Sequence, residues 1–279
     1  MSRSEGVSAP RNYRLLTGNE ESTVLMHVPH ASTEIPAWVR DRIVLNDGQL
    51  DSELSLMTDA QTELIAREAA ALCSVRPWIF ENQLSRLVVD PERFPDPEQE
   101  PMADPAIGMG AVYTKTAHLD TLRGADAAHE RELLDMYFAP YASALTEAVR
   151  KVLEHHERVT IIDIHSYPAQ ELPYERLHHA DAKRPAICLG FDSFHTPEWL
   201  RQAAQDSFRE FGDVAVNEPF AGTYVPLEFY ESNPRVTSIM VEIRRDLYVD
   251  RPAARATISE AVASLVDSVD LFRHGVSDP

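Results

Sequence analysis

Against 26 lysines and arginines, this 279-residue chain sets 45 aspartates and glutamates, a net charge of −19 that would repel phosphate backbones and anionic membrane surfaces. Nucleic acid and membrane are therefore not expected partners, and 44% hydrophobic with 25% charged residues is the composition of a soluble globular protein. No stretch approaches the ~18 apolar residues of a membrane span, and the opening M-S-R-S-E-G-V-S-A-P-R-N-Y lacks the apolar run of a secretory signal, so a cytoplasmic chain is expected.

Along the chain, short β-rich runs alternate with longer helical patterns. T-V-L-M-H-V (23–28) reads as a strand, followed at once by V-P-H-A-S-T-E, which sets His30 just past its end. Thr58-Asp59-Ala60-Gln61 fits a capping box and predicts a helix running towards Leu72. R-L-V-V-D (86–90) is a further strand candidate. Residues 91–117 then carry five prolines and Gly108-Met109-Gly110, which argues against a continuous element and for a lid hinged beside Tyr113. Helical periodicity returns from about 127 to 156 (Phe138, Tyr141, Leu145, Val149, Val152), with Pro140 expected to kink or divide it. V-T-I-I-D-I-H (159–165), A-I-C-L-G-F (186–191) and V-T-S-I-M-V-E-I (236–243) are strand candidates apolar on both faces. Thr196-Pro197-Glu198 and Arg251-Pro252 open helices, the latter with an Ile258, Val262, Leu265, Val269, Phe272 stripe. Cys73 and Cys188 read as buried free thiols. The alternation predicts an α/β sandwich around a mainly parallel or mixed sheet, in one domain spanning 1–279.

Several polar residues interrupt these apolar runs. Asp163 and His165 are two apart on a strand and so share a face, where burial without partners is costly. His30 and His165 both stand at the carboxyl ends of strands, where ligands collect in open α/β sheets. Two histidines so placed begin a zinc site that needs one more protein ligand, for which Glu34, Asp59 and Asp163 are the candidates. Asp163 is equally suited to sit behind an imidazole and orient it. Arg86 and Arg93 flank L-V-V-D-P-E, with a salt bridge to Asp90 or Glu92 as the structural alternative. Glu242 breaks the run Ile239–Ile243, and a carboxylate desolvated on a strand gains the raised pKa of a general base.

The set V-P-H, Thr58-Asp59, S-R-x-x-x-D-x-x-R (85–93), D-x-H-S (163–166), N-x-x-F-x-G-x-Y (217–224) and the late strand with Glu242, ending in Leu-Tyr, resembles the N-formylglutamate amidohydrolase family, in family order over roughly 23–250. The resemblance implies a zinc carboxypeptidase-like three-layer α/β fold and a hydrolase cleaving an N-formyl or short N-acyl group from an amino-acid-like small molecule. It implies one zinc per chain, another divalent metal being the alternative, held by His30, Asp59 and His165 with Asp163 behind. Asp59 is preferred over Glu34 because the carboxypeptidase His-x-x-Glu is absent, Thr33 standing in its place. Glu242 would be the general base, Arg86 would hold the oxyanion, and Arg93, Tyr224 and Arg244 would bind substrate. Where the family has Ile-Thr-Arg-His and Pro-Tyr-His, this chain has Val225-Pro226-Leu227-Glu228 and Pro140-Tyr141-Ala142, which makes the pocket less polar and puts N-formylglutamate itself in question.

A non-catalytic metal- or ligand-binding protein on the same scaffold and a carboxypeptidase-like peptidase are the competing readings. A Ser166 nucleophile with His165 as base ranks last, since adjacent strand residues point opposite ways and no G-x-S-x-G elbow is present. Oligomeric state is not legible.

Overall fold

The computed structural model describes residues 11–179 and 183–272, so residues 1–10 of the opening segment lie outside it. Seven strands form one mixed sheet: β1 (Tyr13–Leu16), β2 (Val24–Val28), β3 (Trp78–Asn82), β4 (Val159–Tyr167), β5 (Ile187–Gly190), β6 (Val214–Val216) and β7 (Val236–Arg244). Their order is β1-β3-β2-β4-β7-β5-β6, and neighbours run parallel except β1 with β3 and β5 with β7.

The central strands are apolar on both sides because helices cover both. Met26, Ile162, Ile164, Ile239 and Val241 face the helices Thr62–Leu72, Glu198–Phe208 and Pro252–Leu271. Leu25, Phe80, Val159 and Ile161 face the helix Ala139–His155 through Tyr141, Leu145, Val149 and Val152. Helix-spaced apolar stripes laid on strand-spaced apolar faces produce the three-layer α/β sandwich. On this second face alone the apolar pattern stops towards the carboxyl ends of β2, β4 and β7. His27, Asp163, His165 and Glu242 stand there, all buried.

Local expectations differ from the structure in several places. R-L-V-V-D (86–90) is a turn: Leu87 packs into one cluster and Val88 and Val89 into another, so the run is buried on two sides without a ladder. The expected strand place is taken by β3, whose Glu81 hides the apolar run from view; its carboxylate is satisfied by Arg14 and Arg67. Thr58-Asp59-Ala60-Gln61 is a link and carries no capping box; Thr58 ends the helix Asp47–Met57, which itself starts with an Asn46/Gln49 box. Thr196 does not cap: its hydroxyl turns to the Ser238 carbonyl, and the following helix begins at Glu198. The 127–156 helix does divide near Pro140, as a π-helical turn at Leu134–Phe138 between Ala127–Leu133 and Ala139–His155. Both cysteines are free, Cys188 buried and Cys73 half-buried.

Candidate active site

Parallel strands β2, β4 and β7 lie side by side, so their carboxyl ends deliver side chains to one crevice. His30 follows β2 by way of Pro29. His165 and Glu242 are paired residues of β4 and β7, and Asp163 pairs with His27 of β2. Asp59 comes from the link between two helices, where its backbone N–H donates to the His30 carbonyl (2.9 Å) and fixes the link against β2.

Three atoms of these residues form a small triangle. His30 Nδ1 lies 3.3 Å from His165 Nδ1, His165 Nδ1 lies 3.1 Å from Asp59 Oδ2, and Asp59 Oδ2 lies 3.7 Å from His30 Nδ1. Ligands about 2.0–2.1 Å from a tetrahedral ion stand about 3.3 Å from one another. The triangle therefore has the dimensions of one face of a metal tetrahedron.

The far side of each imidazole is also engaged. His30 Nε2 lies 2.9 Å from Asp90 Oδ1; a carboxylate can only accept, so Nε2 carries the hydrogen and Nδ1 turns a lone pair into the triangle. His165 Nε2 sits 2.9 Å from Asp163 Oδ2 and 3.2 Å from Glu92 Oε2, close enough for ion pairing but out of line for a hydrogen bond. Carboxylates backing imidazoles in this way orient metal ligands. Asp163 also meets His27 Nδ1 (2.9 Å), and His27 Nε2 meets the Tyr141 hydroxyl (2.6 Å).

Electrostatics agree with a cation at this place. Burial alone would raise Asp59, Asp90 and Glu92, but the imidazoles and Arg86 reverse it and hold all three below the usual carboxylate range. Burial alone would likewise lower His27, yet Asp163 and Glu92 push it up to about 9. His165 is raised well above its ordinary value by the same two partners, against its burial. The carboxylates thus hold positive charge in the cluster, by protons on imidazole or by a metal ion that displaces them. Donor types, spacing and charge all fit a divalent cation.

Glu242 is of another kind. Burial pushes its carboxyl up to about 8, although His165 and Arg245 pull the other way, and its Oε2 has no hydrogen-bond partner. It lines, with His30, Arg86, Arg93, His165 and Tyr224, a cavity of about 600 Å³. Arg86 is held by Asp90 (Nη2 to Oδ2, 2.7 Å) and Tyr113 (Nε to Oη, 2.9 Å). Arg93 reaches the cavity with an unbonded Nε, 3.6 Å from Asp90.

Arg244 is not at the cavity: its guanidinium donates to the Arg184 carbonyl and to Asp246. The cavity instead receives Arg245, which donates to Ser166, to the Leu56 carbonyl and, at 3.4 Å, to Asp59. Glu34 is exposed and takes no part in the cluster. Ser166, beside His165 on β4, is occupied as the acceptor of Arg245.

Three members of the cluster are not among the sequence candidates: His27, Asp90 and Glu92. Asp90 and Glu92 sit inside the quoted 85–93 motif but have the look of ordinary salt-bridge partners. His27 had a usable signal, a lone imidazole inside a buried strand, on the same face as Asp163 of the neighbouring strand. The two stretches that depart from the family pattern, through Ala142 and Leu227, both line the cavity.

The family model for N-formylglutamate amidohydrolase matches residues 22–249. Among solved structures, the chain is similar to an N-formylglutamate amidohydrolase from Ralstonia eutropha, at 23% identity and a TM-score of 0.76, over 95% of this chain and 99% of that one. It is also similar to a gene product of Agrobacterium tumefaciens, at 18% identity and a TM-score of 0.69, over 95% of this chain and 97% of that one. No curated protein matches by sequence.

Proposed function

Because the chain belongs to the N-formylglutamate amidohydrolase family, we propose that it hydrolyses the amide of an N-formyl or short N-acyl amino acid with the help of a divalent cation, zinc by preference. The observation that carries this is the triangle of His30 Nδ1, His165 Nδ1 and Asp59 Oδ2, with Asp90 and Asp163 behind the two imidazoles. Two imidazoles and one carboxylate are the donor set of catalytic zinc. When bound there, the cation supplies Lewis-acid polarisation of the carbonyl and a lowered pKa for the attacking water.

The remaining work falls to the chain's own side chains. Glu242, raised by burial to about 8, takes a proton from the attacking water and returns it to the amine nitrogen as the C–N bond breaks. Arg86, fixed by Asp90 and Tyr113, offers positive charge to the carbonyl oxygen as it becomes an oxyanion. Arg93 receives the substrate carboxylate, and Tyr224 packs beside His27 (ring centroids 5.1 Å apart) to close the wall. Glu92, Arg93, Phe94 and Met102 line the cavity, which supports residues 91–117 as its active-site lid, within one catalytic domain.

Metal analysis and hydrolysis assays on one preparation test the proposal. About one zinc per chain is expected, with turnover of N-formyl amino acids abolished by a chelator and restored by metal. In His165→Ala, metal content and turnover should fall together. Full turnover in that variant, or in metal-free protein, would overturn the assignment.

A further inference from the structure

The cavity is lined by two chemically different parts. One holds the imidazole–carboxylate cluster. The other is a wall made by Phe138 and Ala142 of the divided helix and by Val225, Pro226 and Leu227 after Tyr224. Of the polar groups along that wall, Ser143 carries no charge, and Glu228 and Thr146 are already committed. Glu228 is bound by Arg150 (Nε to Oε1, 2.9 Å), and Thr146 donates to the Ala142 carbonyl (2.7 Å).

Among the described residues, the cavity is lined by the guanidinium groups of Arg86, Arg93 and Arg245 and by no lysine. Arg86 is engaged by Asp90 and Tyr113, and Arg245 by Ser166, the Leu56 carbonyl and Asp59. Arg93 keeps Nε free of any hydrogen bond. It stands 3.6 Å from Asp90, which in turn holds His30, so its charge is close to the cluster. One carboxylate near the scissile amide can therefore be met. A second, carried on a side chain lying against the wall, would lose its hydration without gaining a cation, which is costly.

From this we infer that the site selects N-formyl or short N-acyl amino acids with an uncharged apolar side chain, Arg93 receiving the single carboxylate and the Phe138–Ala142–Val225–Leu227 wall receiving the side chain. The inference rests on the amide-hydrolase reading above and narrows its substrate class. A dicarboxylic substrate is discriminated against. The short acyl group leaves most of the cavity to the amine half of the substrate.

The test uses metal-loaded enzyme with N-formyl-leucine, N-formyl-phenylalanine, N-formyl-glutamate and N-hexanoyl-glycine. The leucine and phenylalanine derivatives should exceed the glutamate derivative in kcat/KM by about 100-fold, mainly through KM. Leu227→Arg adds a cation at the wall and should shift the leucine-to-glutamate ratio at least about tenfold towards glutamate. Leu227 is 51% exposed, so the exchange opens no core, and an unchanged melting temperature checks that. A glutamate derivative that equals or beats leucine overturns the inference, leaving the hydrolase reading intact. Preference for N-hexanoyl-glycine also overturns it, by assigning the wall to the acyl group. If nothing in the panel is hydrolysed, the hydrolase reading fails, and calorimetric binding of the same compounds to metal-loaded Glu242→Gln still decides the preference: tighter binding of N-formyl-glutamate than of N-formyl-leucine refutes it.

Discussion

Strand β4 places neighbouring residues in two different environments. Ile162 and Ile164 point to the face covered by Thr62–Leu72 and Pro252–Leu271, within the large apolar cluster. Asp163 and His165 point to the other face, where each meets an ionisable partner and His165 Nε2 still lacks an aligned hydrogen bond. The same backbone ladder supports both, and burial is equally complete. On the first face burial contributes stability through the removal of apolar surface from water. On the second it desolvates charges, and compensation is left incomplete at the place proposed to receive a cation and a substrate. One side of the sheet holds the fold, and the other holds reactive groups in place at the expense of stability.

The contrast is sharpest at Glu242. Glu242→Gln keeps shape but removes the proposed base, so turnover should fall by about 10²–10⁴-fold with metal still bound. The same exchange should raise the melting temperature of metal-free protein, because a carboxyl that burial raises from 4.5 to about 8 opposes folding. The sign follows from the two states. Below pH 4.5 both folded and unfolded forms are protonated and the penalty vanishes; between 4.5 and about 8 only the unfolded form ionises, so the penalty grows with pH. The gain in the variant should accordingly be full at pH 8 and above and fade towards pH 4.5. Thermal melts of both proteins across that range check it, and a variant less stable than the parent at pH 8 contradicts it.

On the opposite face, Ile162→Ala should cost about 2–5 kcal/mol of stability, read from urea unfolding. Ile162 is fully buried between Met26 of β2 and Ile239 of β7. KM for the best substrate should stay as in the parent, since the cavity lies across the sheet. A large KM change would break the division between the faces. Asp163→Asn is next in size. It withdraws the charge behind His165 and should weaken metal affinity about 10–100-fold by chelator competition. An unchanged affinity would make Asp163 a structural partner of His27 alone.

How much of this could be read in the sequence follows from the same contrast. Long central strands such as β4 and β7 stand out because both faces demand apolar residues, and their interruptions at Asp163, His165 and Glu242 stand out for the same reason. The family motifs only set Asp59 ahead of Glu34 and Asp163 among the candidates; its link conformation has no local signature and its position depends on a backbone contact with His30. β1 and β3 escaped because short strands carry polar residues satisfied by tertiary partners, as Glu81 is by Arg14 and Arg67, and β6, only Val214–Val216, is too short to show a period. R-L-V-V-D misled because an apolar run states burial and leaves the direction of burial open. Arg244 and Arg245 are adjacent and chemically alike; which of them turns to the cavity is decided by the Leu56 carbonyl and Ser166, distant in sequence.

The smallest expected effect concerns the helix that leads to Asp59. Asn46 and Gln49 exchange hydrogen bonds between side chain and backbone at 3.0 Å each, closing the first turn of Asp47–Met57, and Asp59 follows two residues after its end. Asn46→Ala should lower stability by about 1 kcal/mol, the ordinary cost of a lost cap. If Asp59 were positioned by that helix, the loosening would reach the site and weaken metal binding. The structure ties Asp59 elsewhere: its N–H to the His30 carbonyl at 2.9 Å, its carboxylate to His165 and Arg245, and the following Ala60 carbonyl to the Tyr248 hydroxyl at 2.8 Å. Metal affinity of Asn46→Ala should therefore equal that of the parent while its unfolding midpoint drops. A joint loss of both would show that the polar face takes its geometry from the helices as well as from the strand ends.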